Sequence, residues 1–428
     1  MNLPGSVSSG GLRLYPFDVD SFPTLELATK GLAEGGIAKG GDAVARDPDG
    51  RVVFVDGALP DERVLVEIFE TKKGFHRGRV VEIIEPSAQR IEPTCSEVAN
   101  GCGGCDLQIT SPEHQLALKV RIVQDALERI GKIDNVPDID VVPLPESGYR
   151  TSVRCVVVNG KAGFRSRRSH DAVVVDQCDV AHPLIQDLIA NARFDGATEV
   201  TMRVGAATGE RMVIASPTAA HVTVPDDVIL IGTDELAAQH SGGHPNRAWI
   251  HDEVAGRTWR VSAESFFQTR SDGAAALVDV VRDAIGVLPA ESRAFDLYGG
   301  VGLFAGTVFP AGCSTVMIEQ NESSVADARV NLADLDTTIV RSKVETWSPR
   351  RADVVVADPA RQGLGRNAVS RIAETDAPVI VLVSCDAASL ARDTGLLARK
   401  GYQLDAVTLV DLFPMTSHTE TVSRFTVT

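Results

Sequence analysis

Cys385 ends the run Val379-Ile-Val-Leu-Val-Ser-Cys385-Asp386, and a thiol in such a place is a candidate nucleophile. The apolar, mostly β-branched residues before it predict a strand buried on both faces of a parallel sheet. Ala387-Ala-Ser-Leu-Ala391 predicts the start of a helix. Cys385 is therefore expected at the carboxyl end of a central strand, where open α/β sheets bind ligands. The competing reading is a small core hydrophobe, because free cysteine is among the most buried residues.

A second group of thiols lies in Cys95-Ser-Glu-Val-Ala-Asn-Gly-Cys102-Gly-Gly-Cys105. The two glycines let Cys102 and Cys105 turn toward one metal centre, and Cys95 offers a third ligand. A fourth must come from afar. Cys178, in Asp176-Gln-Cys178-Asp179, is the preferred choice, and Cys155 is its competitor. Cys155 sits inside the strand pattern Val153-Arg-Cys-Val-Val-Val158, which reads as packing. Four thiolates hold either zinc or an iron–sulfur cluster, and spacing alone leaves both open. Seven cysteines in a long chain do not read as a disulfide framework.

The third feature is Ala294-Phe-Asp-Leu-Tyr-Gly-Gly-Val-Gly302, a strand running into a glycine turn, followed by Val316-Met-Ile-Glu319. Glycines admit a ligand close to the backbone, and an acid ending the next strand accepts hydrogen bonds from two ribose hydroxyls. NAD enzymes and S-adenosylmethionine enzymes both use this pairing. The dinucleotide fingerprint is incomplete, since Ala305 stands where its third glycine belongs.

These residues need elements to position them. From Leu277 onward, helix and strand patterns alternate, which predicts a doubly wound, Rossmann-like α/β domain over 266–428. Tyr402–Asp411 and Thr421–Thr428 are expected to close its sheet as an antiparallel edge hairpin. Residues 88–265 read as a mainly β central domain carrying the cysteine site, with hairpin turns at Asn159-Gly160 and Gly209-Glu210. Within it, Ser111-Pro112 opens a helix whose apolar face is Leu116, Val120, Val123, Leu127 and Ile130, and Gly131 ends it. Residues 22–87 read as a small β-barrel of the oligonucleotide-binding type. Its strands are expected at Leu25–Leu27, Gly35–Lys39, Val52–Val55, Arg63–Glu67 and Gly78–Ile84. Residues 1–21 read as a disordered tail.

The net charge of −16 taken whole opposes nucleic-acid binding, which needs lysine and arginine. Local clusters qualify that. Lys72, Lys73, His76, Arg77 and Arg79 crowd the barrel's last hairpin beside Phe75, a combination suited to single-stranded RNA. Arg165, Arg167, Arg168 and His170 form a second cluster. No run approaches the ~18 apolar residues of a membrane span, and the first residues do not read as a secretory signal. A cytoplasmic monomer is the expectation.

Four stretches then occur in order: Phe295-Asp-Leu-Tyr-Gly-Gly-Val-Gly-Leu-Phe304, Asp358-Pro-Ala-Arg-Gln-Gly363, Ser384-Cys385-Asp386 with Leu390-Ala-Arg-Asp393, and Phe413-Pro-Met-Thr-Ser-His418-Thr-Glu420. Together they resemble the motif set of the uracil-C5 RNA methyltransferases, which make 5-methyluridine. The N-terminal barrel resembles a TRAM domain. The cysteines resemble the [4Fe–4S] site of that family's ribosomal-RNA branch, which would favour the cluster over zinc. The resemblance covers nearly the whole chain after the tail. It implies Cys385 as nucleophile and Glu420 as general base. It implies that Gln268, Tyr298, Gly300, Gly302, Glu319 and Asp358 hold S-adenosylmethionine, and that Cys95, Cys102, Cys105 and Cys178 hold the cluster. The sequence departs from the family's pattern at Gly299, Leu303, Ala360 and Asp386, and a carboxylate at 386 is expected to raise the thiol's pKa. The implied substrate is a uridine of structured RNA, 23S ribosomal before transfer RNA. The alternative is an RNA-binding or assembly protein that keeps the fold and has lost catalysis.

Overall fold

The computed structural model describes residues 23–240 and 248–428, so the tail expected at 1–21 lies outside the described residues. The chain forms two compact units. One takes the described residues up to Gly101, Cys105–Ile122 and Met415–Ser417; the other takes Cys102–Gly104, Val123–Pro414 and His418–Thr428.

The first unit is built on a five-stranded sheet in the order Thr24–Ala28, Arg63–Thr71, Phe75–Glu85, Val52–Asp56, Ala43–Arg46. A lone bridge between Thr29 and Ala45 joins its two edges, which curls the sheet into a barrel. Val53, Val55, Val64, Val66 and Val80 alternate inward and are fully buried. Asp47-Pro-Asp-Gly50 makes the expected turn, with the Asp47 carboxylate accepting the Arg51 N–H at 2.8 Å. Gly35–Lys39 is not the strand its sequence predicts. It leaves a short 3-10 turn at Leu32–Glu34, and only Ile37 bridges a strand residue, Ala43. Glycines so close together are too easily bent to hold a strand.

Three cations of the barrel's last hairpin are answered by its own acids. Arg77 meets Asp42 at 3.2 Å and Glu70 at 3.4 Å, Lys72 meets Glu70 at 2.8 Å, and Arg79 meets Glu67 at 2.5 Å. The Arg77 guanidinium also lies 5.6 Å from the ring centres of both Phe54 and Phe75.

The second unit holds two large sheets. A six-stranded one runs Val228–Gly232, Arg211–Ser216, Glu199–Val204, Ser152–Val158, Lys161–Arg165, Ala172–Val174. The Pro183–Asn191 helix packs on it through Ile185 and Leu188, around a core that includes Cys155, Phe194 and Met202.

The other sheet has eight strands: Thr337–Arg341, Ser314–Glu319, Arg293–Leu297, Val354–Ala357, Val379–Ser384, Thr421–Val427, Tyr402–Val410, Ile139–Val142. The first five are parallel, and the C-terminal hairpin is antiparallel. Ile380, Val381, Leu382 and Val383 are fully buried, as expected of a central strand. The hairpin does not close the sheet, contrary to its sequence. Ile139–Val142 pairs parallel to Tyr402–Val410 and takes the edge. This strand is short, and Pro137 and Pro143 bracket it; an edge tolerates prolines that an interior position would not.

Candidate active site at the carboxyl edge of the sheet

Cys385 is the first residue beyond its strand, and Asp386 then caps the helix Ala387–Ala398. The antiparallel ladder next door runs in a register that pairs Ser384 with Thr421. Continuing that register one step puts Glu420 opposite Cys385. The Thr421 hydroxyl donates to the Ser384 carbonyl at 3.2 Å and locks the end of the ladder. Two residues far apart in sequence thus meet because one strand ends where its antiparallel neighbour begins.

Asp358 follows the adjacent strand directly, its N–H bonded to the Leu297 carbonyl at 3.1 Å. Gln268 reaches it from outside the sheet, Nε2 lying 3.4 Å from an Asp358 oxygen. Glu319 ends the strand on the far side of Arg293–Leu297. One of its oxygens accepts the Gly300 N–H at 3.0 Å and the other accepts the Asn321 N–H at 2.6 Å. The acid therefore pins the glycine turn and keeps lone pairs for a ligand. Tyr298 has φ 62°, a conformation unfavourable for a residue with a Cβ, and its hydroxyl donates to Glu345 at 3.3 Å. The two glycines serve differently. A Cβ at Gly302 would lie 2.8 Å from Leu332, whereas one at Gly300 would meet only the Phe266 carbonyl, 3.9 Å away. Gly302 is there for packing, and Gly300 leaves open space beside the backbone.

The electrostatics are set by burial among acids. Burial first, then the carboxylates of Glu420 and Asp358, push the Cys385 thiol up to about 12, and Arg361 opposes them. Burial and Asp358 hold the Glu420 carboxyl well above the usual carboxylate range, again against Arg361. Burial and Asp296 raise Asp358 to about 7. The effect expected of Asp386 has another source. Its carboxylate accepts the Ser389 N–H at 2.8 Å as a helix cap, and the acids raising the thiol are Glu420 and Asp358.

Sequence reasoning missed several residues here. Asp296 is fully buried beneath the glycine turn; one oxygen accepts the Ala305 N–H at 2.9 Å and the other has no partner. Burial raises it to about 7. An acid inside the apolar strand Ala-Phe-Asp-Leu was the available signal. Asp327 is also fully buried and accepts from Arg260, from Ser262 and from the Ser265 hydroxyl, fixing the segment that leads to Gln268. It had no local signal, because its partners are distant in sequence. Arg361, whose motif Asp358-Pro-Ala-Arg361 gives it no role of its own, is the cation acting on both Cys385 and Glu420.

The cysteines divide between the units: Cys95 and Cys105 belong to one, Cys102 and Cys178 to the other. In the second unit, Cys102 and Cys178 pack on the same core as Cys155. Cys155 is buried, and burial, with Cys178 and Cys102 adding, pushes its thiol to about 12. Cys102 bridges Ser166, and Gly103 passes so close to that loop that a Cβ would meet the Arg167 nitrogen at 2.6 Å. Among the described residues, no three histidine, cysteine or acidic side chains are gathered as a metal site. Nor, among them, is any helix long and apolar enough to cross a membrane.

Known proteins bear on this geometry. Residues 33–81 match the TRAM domain. An uncharacterized RNA methyltransferase of Streptomyces coelicolor is 36% identical over 413 residues, covering 89% of this chain and 89% of its own. One of Corynebacterium glutamicum is 33% identical over 393 residues, covering 88% and 92%. The Pyrococcus abyssi tRNA (uracil-54, C5)-methyltransferase, solved in complex with S-adenosyl-L-homocysteine, shares the fold with a TM-score of 0.69. It is 22% identical, over 90% of this chain and 96% of that one.

Proposed function

This chain belongs to the RNA methyltransferases, and from that premise we propose that it methylates C5 of a uridine in structured RNA through a covalent adduct on Cys385. The observation that carries the reading is the meeting of Cys385 and Glu420 across the end of one ladder. C5 of uracil is a weak nucleophile. Addition of the Cys385 thiolate to C6 makes C5 enolate-like, and C5 can then attack a methyl group. Glu420 takes the C5 proton, the C5–C6 double bond reforms, and the thiolate leaves. The raised thiol means that Cys385 rests protonated, and Arg361 is the cation positioned to favour its ionised form. The target base must leave its stack to reach the edge of a sheet, which favours a loop or an opened helix.

S-adenosylmethionine, when bound, supplies the electrophilic methyl group. The residues present fit it: Gly300 leaves space at the backbone, Glu319 keeps lone pairs for ribose hydroxyls, and Asp296 has a buried oxygen without a partner. Gln268, Tyr298 and Asp358 complete the proposed cofactor set, and Gly302 shapes the turn by packing on Leu332.

For the RNA we propose 23S ribosomal RNA, on the barrel and cysteines together; transfer RNA is the second reading, favoured by the substrate in the name of the Pyrococcus abyssi enzyme. Mass mapping of RNA from a deletion strain separates them. Cys95, Cys102, Cys105 and Cys178 are proposed as ligands of a [4Fe–4S] cluster. Anaerobically purified protein should then be brown, and Cys178→Ala should lose the colour. Colourless protein carrying one equivalent of zinc would refute the cluster.

Cys385→Ala and Glu420→Gln test the mechanism by failing differently. Without the thiol, RNA should bind but never link. Without the base, the C5 proton stays, and protein should remain joined to methylated RNA as a shifted band on a denaturing gel. If neither variant gives that band while both still bind RNA, Glu420 does not resolve the adduct.

A further inference from the structure

A cleft of about 410 Å³ opens between two helices of the second unit, Gly365–Ala373 and Ala387–Ala398. Arg366, Ser370, Arg399 and Lys400 line it, with Val369 and Leu396 as its floor. The three cations are exposed, and among the described residues none of their side chains has an acid or hydrogen-bonding partner. The neighbouring acids are engaged elsewhere. Glu374 pairs with Arg371 at 2.8 Å, while Asp393 takes Arg392 and the Leu364 and Gly365 N–H groups.

Intramolecular reasons account for only part of this group. Arg399 and Lys400 follow the carboxyl end of their helix, where the dipole favours cations. Arg366 lies in the first turn of its helix, the end where the dipole disfavours a cation, and it has no compensating carboxylate. In a chain of net charge −16 whose barrel cations Lys72, Arg77 and Arg79 meet their own acids, this is a cationic surface free to bind an external anion.

We propose that this cleft seats backbone phosphates of the RNA substrate, with Arg366, Arg399 and Lys400 as the phosphate contacts. Only the turn at 359–364 separates Asp358 of the proposed catalytic edge from the Arg366 helix. Arg399 and Lys400 follow the far end of a helix that starts at that edge, about 18 Å along, so the contacts would span several nucleotides. The inference rests on the RNA methyltransferase reading. Phosphate contacts carry affinity and register without reading bases, so the cleft holds the strand while the edge of the sheet acts on one uridine.

The test is fluorescence anisotropy of a labelled uridine-rich hairpin RNA across a salt series, on wild type and the triple variant Arg366→Gln, Arg399→Gln, Lys400→Gln. The variant should bind roughly tenfold more weakly or worse, and its slope of log affinity against log salt should shrink by about two to three. Binding of S-adenosylhomocysteine should not change, which reports an intact fold. Inorganic phosphate is the second probe: if it protects wild type thermally and not the variant, while RNA affinity and salt slope are the same for both, the cleft takes a small anion and the proposal is overturned. The same RNA affinity and slope with no phosphate effect also overturn it. Wild type that binds no RNA would sink the functional reading itself, a distinct outcome.

Discussion

At the scale of single residues, the site pairs a proposed nucleophile with the wrong resting charge and a proposed base held high by the same surroundings. The sign of its pH dependence follows. A thiol near 12 is protonated through the neutral range, so its thiolate fraction rises about tenfold per pH unit between pH 7 and 10. Iodoacetamide labelling of the Cys385 peptide, followed by mass spectrometry, should accelerate with pH across that window without a plateau. At a fixed pH at which Glu420 is ionised, Glu420→Gln removes a negative neighbour and should speed labelling. Arg361→Gln removes the opposing cation and should slow it. Equal labelling rates in all three proteins would mean that neither group senses the thiol. Cys385, Glu420 and Asp358 were all singled out by their motifs. The effect of the two acids on the thiol was not legible, because they reach it only through strand pairing.

At the scale of elements, the catalytic strand and its helix are joined by Asp386. Its sequence reading was electrostatic, a carboxylate beside a thiolate. In the structure it is an N-cap with φ −145°, holding the Ser389 N–H. Asp386→Ala should therefore destabilise the protein by about 1 kcal/mol, whereas Asp386→Asn, which can cap as well, should leave the urea midpoint nearly unchanged. Activity of Asp386→Asn close to wild type would agree with a structural carboxylate. Loss of activity at unchanged stability would return it to the chemistry. Four of the five parallel strands were legible as short apolar runs, whereas Thr337–Arg341, with two threonines and an arginine in five residues, was not. Ile139–Val142 was not legible either, since five residues between prolines are too few for a periodicity that favours an edge strand over a loop.

At the scale of the molecule, one buried arginine ties distant segments of the catalytic unit together. Arg270 has no exposed surface. It pairs with Asp272 at 2.6 Å, donates to the carbonyls of Pro145 at 3.1 Å and Leu412 at 3.3 Å, and lies 4.3 Å from the Tyr149 ring centre. The Tyr149 hydroxyl in turn donates to the Pro414 carbonyl at 3.0 Å. The chain entering the Glu420 segment is held from outside the sheet. Arg270→Leu leaves buried carbonyls unsatisfied, and urea unfolding should show a loss of roughly 3 kcal/mol. Wild-type stability in Arg270→Leu would show that these bonds contribute nothing net.

The sequence by itself determined the alternation of strand and helix, the barrel, the place of Cys385 at a strand's end and the glycine turn, because each rests on local patterning within a few residues. It also marked the motif stretches that made the family legible. Only the tertiary structure decided what faces what. The register that sets Glu420 against Cys385, the burial that raises both, and the engagement of three of the barrel's cations by its own acids depend on contacts between segments far apart in the chain. So does the convergence on one cleft of three cations from two helices. Charges count by their neighbours in space, and no spacing in the sequence states who those neighbours are.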